Sequence, residues 1–277
     1  MVRQLFHRKP LGALGGVLLV AMLSLGLFAD WVAPYGYDEA DMFARLKPSS
    51  PAHWLGTDNL GRDLLSRVIH GARVSMAVGF GAVALGLAGA TLVGLLSGYF
   101  GGRVDIAVQR LVDAFMCFPL LLVALTIMAL IGPGLGNVIL ALGLVIAVRD
   151  SRVIRSSVLA VKANLYVEAA RALGVGHGAM LRRHIAPNIF APLMILATVN
   201  IGAVILIEAA LSFLGFGVPP PRPSWGGMLS GAGLVHMLRA PWLALWPGVA
   251  LSLTVFGANM LGDALRDLLD PRLRGSG

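Results

Sequence analysis

The chain has 277 residues, of which 57% are hydrophobic and only 13% are charged. Soluble domains carry about 25% charged residues, so this composition excludes a soluble enzyme, a disordered chain and an ordinary nucleic-acid-binding protein. The single cysteine, Cys117, excludes an internal disulfide framework and a cysteine-rich metal site. We therefore expect an all-α polytopic membrane protein, in which the net charge of +8 reports topology rather than contact with nucleic acid.

Six apolar runs predict six transmembrane helices. About 20 apolar residues cross the roughly 30 Å hydrocarbon layer as a helix. The fourth run is short and is expected to continue as helix past Arg149. An even number of spans places both termini on the same side of the membrane. The predicted spans are residues 11–29, 74–99, 115–131, 137–148, 191–216 and 242–261.

The distribution of lysine and arginine predicts which side that is. With six spans, 15 of the 22 basic residues fall on the side of the N-terminus and 7 on the other side. Cytoplasmic loops of membrane proteins carry the excess of positive charge, so both termini are predicted to be cytoplasmic. The first run has 19 apolar residues and no small-x-small cleavage site before Asp30, which predicts a retained span rather than a signal peptide.

The extracytoplasmic segment between the first two spans contains a predicted amphipathic helix. From Leu60 onwards, apolar residues recur at helical spacing, and charged and polar residues occupy the opposite face. Thr57 or Asp58 is the expected N-cap of this helix. Two placements remain open. The helix lies on the outer membrane surface or against the neighbouring spans, or it is a plain approach segment that leads into the second span.

The second span carries a row of small residues at four-residue spacing. Such spacing lets helix backbones approach each other closely in lipid. The row therefore predicts close helix packing, either within this chain or against a partner. It comprises Ala82, Gly86, Ala90, Gly94 and Gly98.

Within the longest cytoplasmic segment, residues 165–185 predict two short helices joined by a bend, which we call the elbow. Glycines are expected to end the first helix, before a second short turn at 179–184. Two interpretations remain open, a docking surface for a partner and an element that only packs under its own bundle. The apolar stripe of the first helix comprises Leu165, Tyr166, Ala169, Ala170 and Leu173, and the glycines are Gly174, Gly176 and Gly178.

Motifs for catalysis and for cofactor or metal binding are absent from the sequence. None of the three lysines follows a glycine, which excludes a Walker A loop, and neither His-Glu-x-x-His nor Cys-x-x-Cys occurs. We therefore expect no catalytic, cofactor-binding or metal-binding residue. Glu208 is the ionisable residue deep inside a predicted span. Contact with a neighbouring helix, contact with substrate and a proton relay all remain open for it.

The elbow sequence resembles the signature of ABC importer permeases, in which Glu-Ala-Ala is followed after three residues by Gly and later by Ile-x-Leu-Pro. Three further blocks, which begin at His53, Leu211 and Trp246, are similar to the dipeptide, oligopeptide and nickel subfamily. Together the blocks extend over residues 53–271. The signature residues in this chain are Glu168, Ala169, Ala170, Gly174, Ile185, Ala186 and Pro187, with alanine in place of the usual leucine.

The resemblance implies a type I ABC importer permease fold in the bacterial cell inner membrane. In that family a second, homologous permease subunit completes the pathway, two ATP-binding subunits hold ATP and magnesium, and an extracytoplasmic solute-binding protein delivers the solute. This chain would then contact membrane lipid, bind no cofactor and no nucleic acid, and not be an enzyme. The resemblance assigns the coupling helix, which docks on the ATP-binding subunit, to Glu168, Ala169, Ala170 and Gly174.

The subfamily implies di- or oligopeptides as cargo, with nickel, an opine or glutathione as alternatives. Alternatives from other classes are an ion-coupled secondary transporter that uses Glu208 and a membrane enzyme. No residue of the substrate pathway is indicated. The predicted parts are the cytoplasmic N-terminus and first transmembrane helix (1–29), an extracytoplasmic loop with the amphipathic helix (30–72), an ABC importer transmembrane core (73–265) containing the cytoplasmic coupling loop (155–188), and a cytoplasmic tail (266–277).

Overall fold

The computed structural model describes residues 9–269, and the regular elements in that range are helices. This confirms the all-α prediction. Residues 1–8 of the predicted N-terminal part and 270–277 of the predicted tail lie outside the described residues. The α-helices are α1 (Pro10–Leu27), α2 (Ala29–Val32), α3 (Leu64–Phe100), α4 (Gly102–Met116), α5 (Leu120–Ile131), α6 (Leu135–Lys162), α7 (Leu165–Ala172), α8 (His177–Ala179), α9 (Phe190–Phe213), α10 (Trp225–Leu229), α11 (Ala232–His236) and α12 (Trp242–Leu269). A 3₁₀-helix (Met42–Ala44) precedes α3, and a π-helix (Met180–Ile185) and a second 3₁₀-helix (Ala186–Ile189) join α8 to α9.

Four helical stretches of the described residues are long and apolar enough to cross a membrane, namely α1, α3, the stretch His177–Phe213 and α12. A fifth is obtained when α4 and α5, which are bent by 90° at their junction, are taken as one broken span. Helix α6 has 28 residues but carries Arg149, Asp150 and Arg152 in its interior. The predicted continuation of the fourth helix past Arg149 is confirmed. The structure is that of a multi-span helical membrane protein.

The predicted amphipathic helix is not a separate surface element, because α3 begins at Leu64 and continues for 37 residues through the second span. The segment leads directly into the second span, as the approach-segment placement predicts, and Leu64 at its start also packs against Leu243 of α12, as the placement against neighbouring spans predicts. The predicted N-caps, Thr57 and Asp58, are wrong. Asp63 caps α3, since its carboxylate accepts a hydrogen bond from the amide of Ser66 at 2.8 Å. Thr57 and Asp58 instead bond to the backbone of the preceding loop.

The predicted third span, 115–131, is also wrong in its bounds. The helix is interrupted between Met116 and Leu120, and the axes of the two resulting helices meet at 90°. Pro119 explains the break, because proline has no amide hydrogen to donate and disfavours helical geometry in the residue before it. Helix α5 is left with 12 residues, which is about 18 Å at 1.5 Å per residue.

The row of small residues on α3 packs against α6 within this chain. A Cβ atom built at Gly94 would lie 2.8 Å from the Cβ of Ile154, and one at Gly98 would lie 3.0 Å from the Cβ of Val158. The residue numbers rise together along both helices, so α3 and α6 run parallel. The prediction of close packing is confirmed, and the structure supplies the partner helix that the sequence left open.

The remaining long helices pack antiparallel to their neighbours. Gly79 of α3 faces Ile205 of α9, and Ser75 of α3 bonds to Glu208 one turn further along α9. Helix α1 packs against α12, and the ammonium group of Lys9 lies 2.6 Å from the carboxylate of Asp267. The two ends of the described chain are therefore held together at one end of the bundle.

Candidate functional site

The bend of the elbow is a glycine-terminated helix end. The amide of Val175 donates to the carbonyl of Ala170 at 3.1 Å, and Gly174 between them has a φ of +81°. This is the Schellman arrangement, in which glycine takes the left-handed conformation without steric cost. The prediction that glycine ends the first helix is confirmed for Gly174. Gly176 is the N-cap of α8 and Gly178 lies inside α8, so neither ends a helix.

The inner side of the elbow packs against the rest of the protein. Val167 and Ala170 are buried in one apolar cluster with Ile154 and Val158 of α6 and Met180 of the π-helix. Because apolar side chains from three elements share this cluster, α7 is held against the end of α6.

The outer side of the elbow is apolar and is left uncovered by the described part of the chain. Leu165 is 82% exposed and Leu173 is 85% exposed, and the ring of Tyr166 is also exposed. Ala169 completes this face, whereas Ala170, the remaining member of the predicted stripe, points inward. Exposed leucines are what a docking surface would present to a partner, and that interpretation stays a prediction.

Among the predicted site residues, Glu168, Ala169 and Gly174 are exposed and Ala170 is buried. The carboxylate of Glu168 forms no salt bridge with another of residues 9–269. Arg171 follows Glu168 by three residues, about one turn along α7. The exposed arginines of the elbow are Arg171, Arg182 and Arg183. The exposed side of the elbow therefore carries an apolar stripe, one acid and three arginines.

Three side chains fasten the elbow to the ends of the long helices. The ammonium group of Lys162 donates to the carbonyl of Tyr99 at 2.6 Å, which joins the end of α6 to the end of α3. The hydroxyl of Tyr99 shares a hydrogen bond of 2.7 Å with Nδ1 of His177 on α8. Sequence reasoning missed this group, because residues 78 positions apart along the chain give no local signal of contact.

Helix α4 is clamped to α6 near the same end of the bundle. The guanidinium of Arg155 pairs with Asp105, and its Nε–H donates to the carboxylate at 2.6 Å. Arg152 forms a second ion pair with Asp113.

Glu208 lies in a hydroxyl-lined site inside the bundle. Its side chain is fully buried and accepts hydrogen bonds from Ser75 of α3 at 3.2 Å and from Ser212 at 2.7 Å. The hydroxyl of Ser224, the N-cap of α10, donates to that of Ser212 at 3.2 Å. Of the three interpretations of Glu208, contact with a neighbouring helix is confirmed. The serine partners were missed, since serine hydroxyls inside a helix carry no distinctive pattern.

Within residues 9–269, no group of three His, Cys, Asp or Glu side chains is placed to hold a metal ion. Cys117 is exposed and forms no disulfide.

Comparison with known proteins gives the family. The family of binding-protein-dependent transport system inner membrane components matches residues 90–275, which is more than half of the chain. The chain belongs to this family. The N-terminal transmembrane domain of oligopeptide transport permease C matches residues 1–48. This inner membrane component is accordingly a multi-pass protein of the bacterial inner membrane, as the sequence predicted.

Curated relatives of this inner membrane component are similar along almost its whole length. The dipeptide transport system permease protein DppC of Alkalihalophilus pseudofirmus is 38% identical, with 96% of this chain and 88% of the relative aligned. The di/tripeptide transport system permease protein DppC of Pseudomonas aeruginosa is 41% identical over 97% of this chain and 90% of the relative. The glutathione transport system permease protein GsiD of Pectobacterium atrosepticum is 38% identical over 97% and 89%.

Two solved structures share the fold. An inward-facing MetNI methionine ABC transporter aligns with a TM-score of 0.57 and 18% identity, over 80% of this chain and all of the other. An amino acid ABC transporter solved with histidines aligns with a TM-score of 0.53 and 17% identity, over 76% and 94%. At this identity the comparison supports the fold of an ABC transporter permease and nothing finer.

Proposed function

We propose that this chain is one of two permease subunits of an ATP-driven importer, and that it couples to the ATP-binding subunit through the elbow. The observation that carries the proposal is the uncovered apolar stripe of α7. Leu165 and Leu173 stand almost fully exposed on a helix whose other side is fixed to the bundle. A rigid helix with an apolar outer face is suited to insertion in a groove of a partner.

The proposed coupling residues divide into two roles. Glu168 and Ala169 face outward, where the carboxylate is available for an ion pair and the small side chain permits close approach. Ala170 and Gly174 shape the helix end, through the Schellman hydrogen bond and the positive φ. Because the apolar cluster around Val167 joins the elbow to α6, and the hydrogen bond between His177 and Tyr99 joins it to α3, a displacement of α7 would be transmitted to both long helices.

Helix packing supports the proposed six crossings. Helices α3 and α6 run parallel and close together, so the chain between them has to return across the membrane. The bent pair α4 and α5 supplies that return, and the antiparallel helices α9 and α12 complete six. The contact between Lys9 and Asp267 agrees with an even number of crossings. The excess of basic residues predicted for that side favours a cytoplasmic position for both termini.

The proposed assembly contains a second, homologous permease, two ATP-binding subunits and an extracytoplasmic solute-binding protein, all in or against the lipid membrane. ATP and magnesium are assigned to the ATP-binding subunits, because this sequence has no Walker A loop. An importer of this kind alternates between two states that differ in their contacts, and ATP binding favours one of them.

The proposed cargo is short peptides, including glutathione. The relatives described above are named for dipeptide, di/tripeptide and glutathione transport, which favours peptides over nickel or an opine. An ion-coupled carrier is not favoured, since both carboxylate oxygens of Glu208 are occupied by serine hydroxyls in a fully buried site.

Site-directed crosslinking tests the docking of the elbow. Cys117→Ser gives a cysteine-free chain, since the sequence contains one cysteine. In membranes that contain the whole transporter, Leu173→Cys in this background is expected to crosslink to the ATP-binding subunit. Phe43→Cys is the matched control, because Phe43 is 92% exposed in the loop before α3. Absence of a crosslink from Leu173, or an equal crosslink from Phe43, would refute the proposed docking.

The same two variants test the orientation. A membrane-impermeant maleimide is expected to label Phe43→Cys in spheroplasts and to label Leu173→Cys only after the membrane is opened. The reverse pattern would place the elbow outside. Glu168→Lys is then expected to weaken both ATPase association and uptake, because it replaces the acid of the docking face by a cation.

A further inference from the structure

Two of the three family-like sequence blocks outside the elbow meet at the end of the bundle opposite to the elbow. A cavity of about 520 Å³ lies between the loop before α3 and the segment between α9 and α10. One wall comes from the block that begins at His53 and the other from the block that begins at Leu211. Helix α3 separates this cavity from the elbow by 37 residues, or roughly 55 Å.

The lining of the cavity is positively charged. Three arginines, Arg62, Arg67 and Arg222, line it together with one acid, Asp58. The carboxylate of Asp58 is already used, because it accepts hydrogen bonds from the amides of Leu60 and Arg62 and from Nε of Arg62. Binding of a cation by this carboxylate would have to displace those bonds.

Arg222 is the arginine of the lining that has no salt bridge within residues 9–269. Arg67 is attracted by Asp58 and by Asp38 of the same loop, and one of its Nη1–H groups donates to the carbonyl of Tyr37 at 2.7 Å. Arg222 is exposed and forms no salt bridge with another of the described residues. A guanidinium presents roughly five N–H donors in a planar fork that matches a carboxylate.

The cavity also reaches the hydroxyl network of Glu208. Ser212 and Ser224 line the cavity, bond to each other, and connect through Glu208 to Ser75 of α3. An occupant of the cavity would therefore lie against the contact between α3 and α9, two of the long helices of the bundle.

We propose that this cavity is a subsite that binds the carboxylate of a short peptide at the outer mouth of the pathway, with Arg222 as its main cation. The volume lies within the range of about 300–1,000 Å³ that is usual for small-molecule sites. The inference rests on the proposed function and orientation. It adds residues that contact the cargo, which those proposals do not name.

The test uses the complete transporter in proteoliposomes with its binding protein. Ala-Ala and its C-terminal amide are each supplied at concentrations that saturate the binding protein, and ATP-dependent uptake is measured. Arg222→Gln is expected to lower the uptake rate of Ala-Ala about tenfold, the order expected for loss of a charge-assisted hydrogen bond, and to leave that of the amide unchanged. Arg222→Lys is expected to restore part of the rate. Arg239→Gln, also exposed but outside the cavity, is the control and is expected to have no effect.

Three results would overturn the subsite. They are an unchanged rate for Ala-Ala, an equal loss for the acid and the amide, and a weakened affinity of the transporter for its binding protein. The last result would mean that Arg222 contacts an acidic group of the solute-binding protein rather than the peptide. Failure of the proposed function is distinguishable, because the unsubstituted transporter would then show no ATP-dependent uptake of either peptide.

Discussion

The contact between α3 and α6 makes a sharp prediction at Gly94. A Cβ atom at this position would lie 2.8 Å from both the Cβ and the Cγ2 of Ile154 and from the carbonyl oxygen of Ser151. Ordinary van der Waals contact begins at about 3.4 Å, so Gly94→Ala requires the two helices to separate by roughly 0.6 Å. Two helix backbones yield less readily than the far end of a flexible side chain.

The expected magnitude follows from two opposing effects. Overpacking of a tight interior costs about 1–3 kcal/mol. Replacement of glycine by alanine in a helix favours folding by about 1 kcal/mol. Gly136→Ala on α6 isolates the second effect, because a Cβ there meets no heavy atom within 4 Å. The difference between the two variants is therefore the steric cost, about 2 kcal/mol in stability.

Thermal unfolding of the purified chain in detergent, followed by tryptophan fluorescence, measures this difference. For a protein of this size, 2 kcal/mol corresponds to roughly 4–8 °C in Tm, with Gly94→Ala the lower of the two. Equal Tm values for Gly94→Ala and Gly136→Ala would refute the parallel packing of α3 on α6.

Three further predictions concern single side chains. Glu208→Leu is expected to cost about 1–3 kcal/mol in thermal stability, because it leaves the buried hydroxyl of Ser75 without its acceptor. Gly174→Ala is expected to destabilise the elbow by about 1 kcal/mol, since alanine is strained at a φ of +81°, and faster proteolysis within the elbow reports it. The hydrogen bonds from Arg73 lower the pKa of Asp30 below its value of 3.8 in the unfolded chain. A carboxyl group whose pKa is lower in the folded state stabilises the fold at pH values above its unfolded pKa, and this stability is lost as the pH falls through the folded pKa. The Tm of Arg73→Gln is therefore expected to fall less steeply between about pH 5 and pH 3 than the Tm of the unsubstituted chain.

Each of these predictions has a contradicting outcome. Glu208→Gln keeps one acceptor oxygen and is expected to lose less stability than Glu208→Leu. The reverse order of stabilities would show that the serine hydrogen bonds to Glu208 do not stabilise the fold. Unchanged proteolysis of Gly174→Ala would mean that the elbow tolerates a different turn. If Tm falls equally steeply with pH in the unsubstituted chain and in Arg73→Gln, then Arg73 does not lower the pKa of Asp30.

Several features of this protein could be predicted from the sequence, because local chemistry decides them. Low charge and long apolar runs require a membrane environment wherever the helices pack. A glycine that must take a positive φ, as at Gly174, is recognisable from its place after an amphipathic run. The spacing from Ala82 to Gly98 announces a close helix contact for the same local reason. Pro119 shows that a local signal can also be overlooked, since it lies inside the apolar run and yet breaks the helix.

Tertiary structure alone decided which surfaces meet. The glycine row fits α6 because Ile154 stands opposite Gly94, 60 positions away, and no local rule specifies that pairing. Competition between near neighbours likewise made Asp63 rather than Thr57 the cap of α3. The serines around Glu208 and the arginines of the cavity between the loop before α3 and α10 are brought together from distant segments. Side chains so far apart along the chain are selected by how whole helix faces fit in space, and the sequence encodes that fit only collectively.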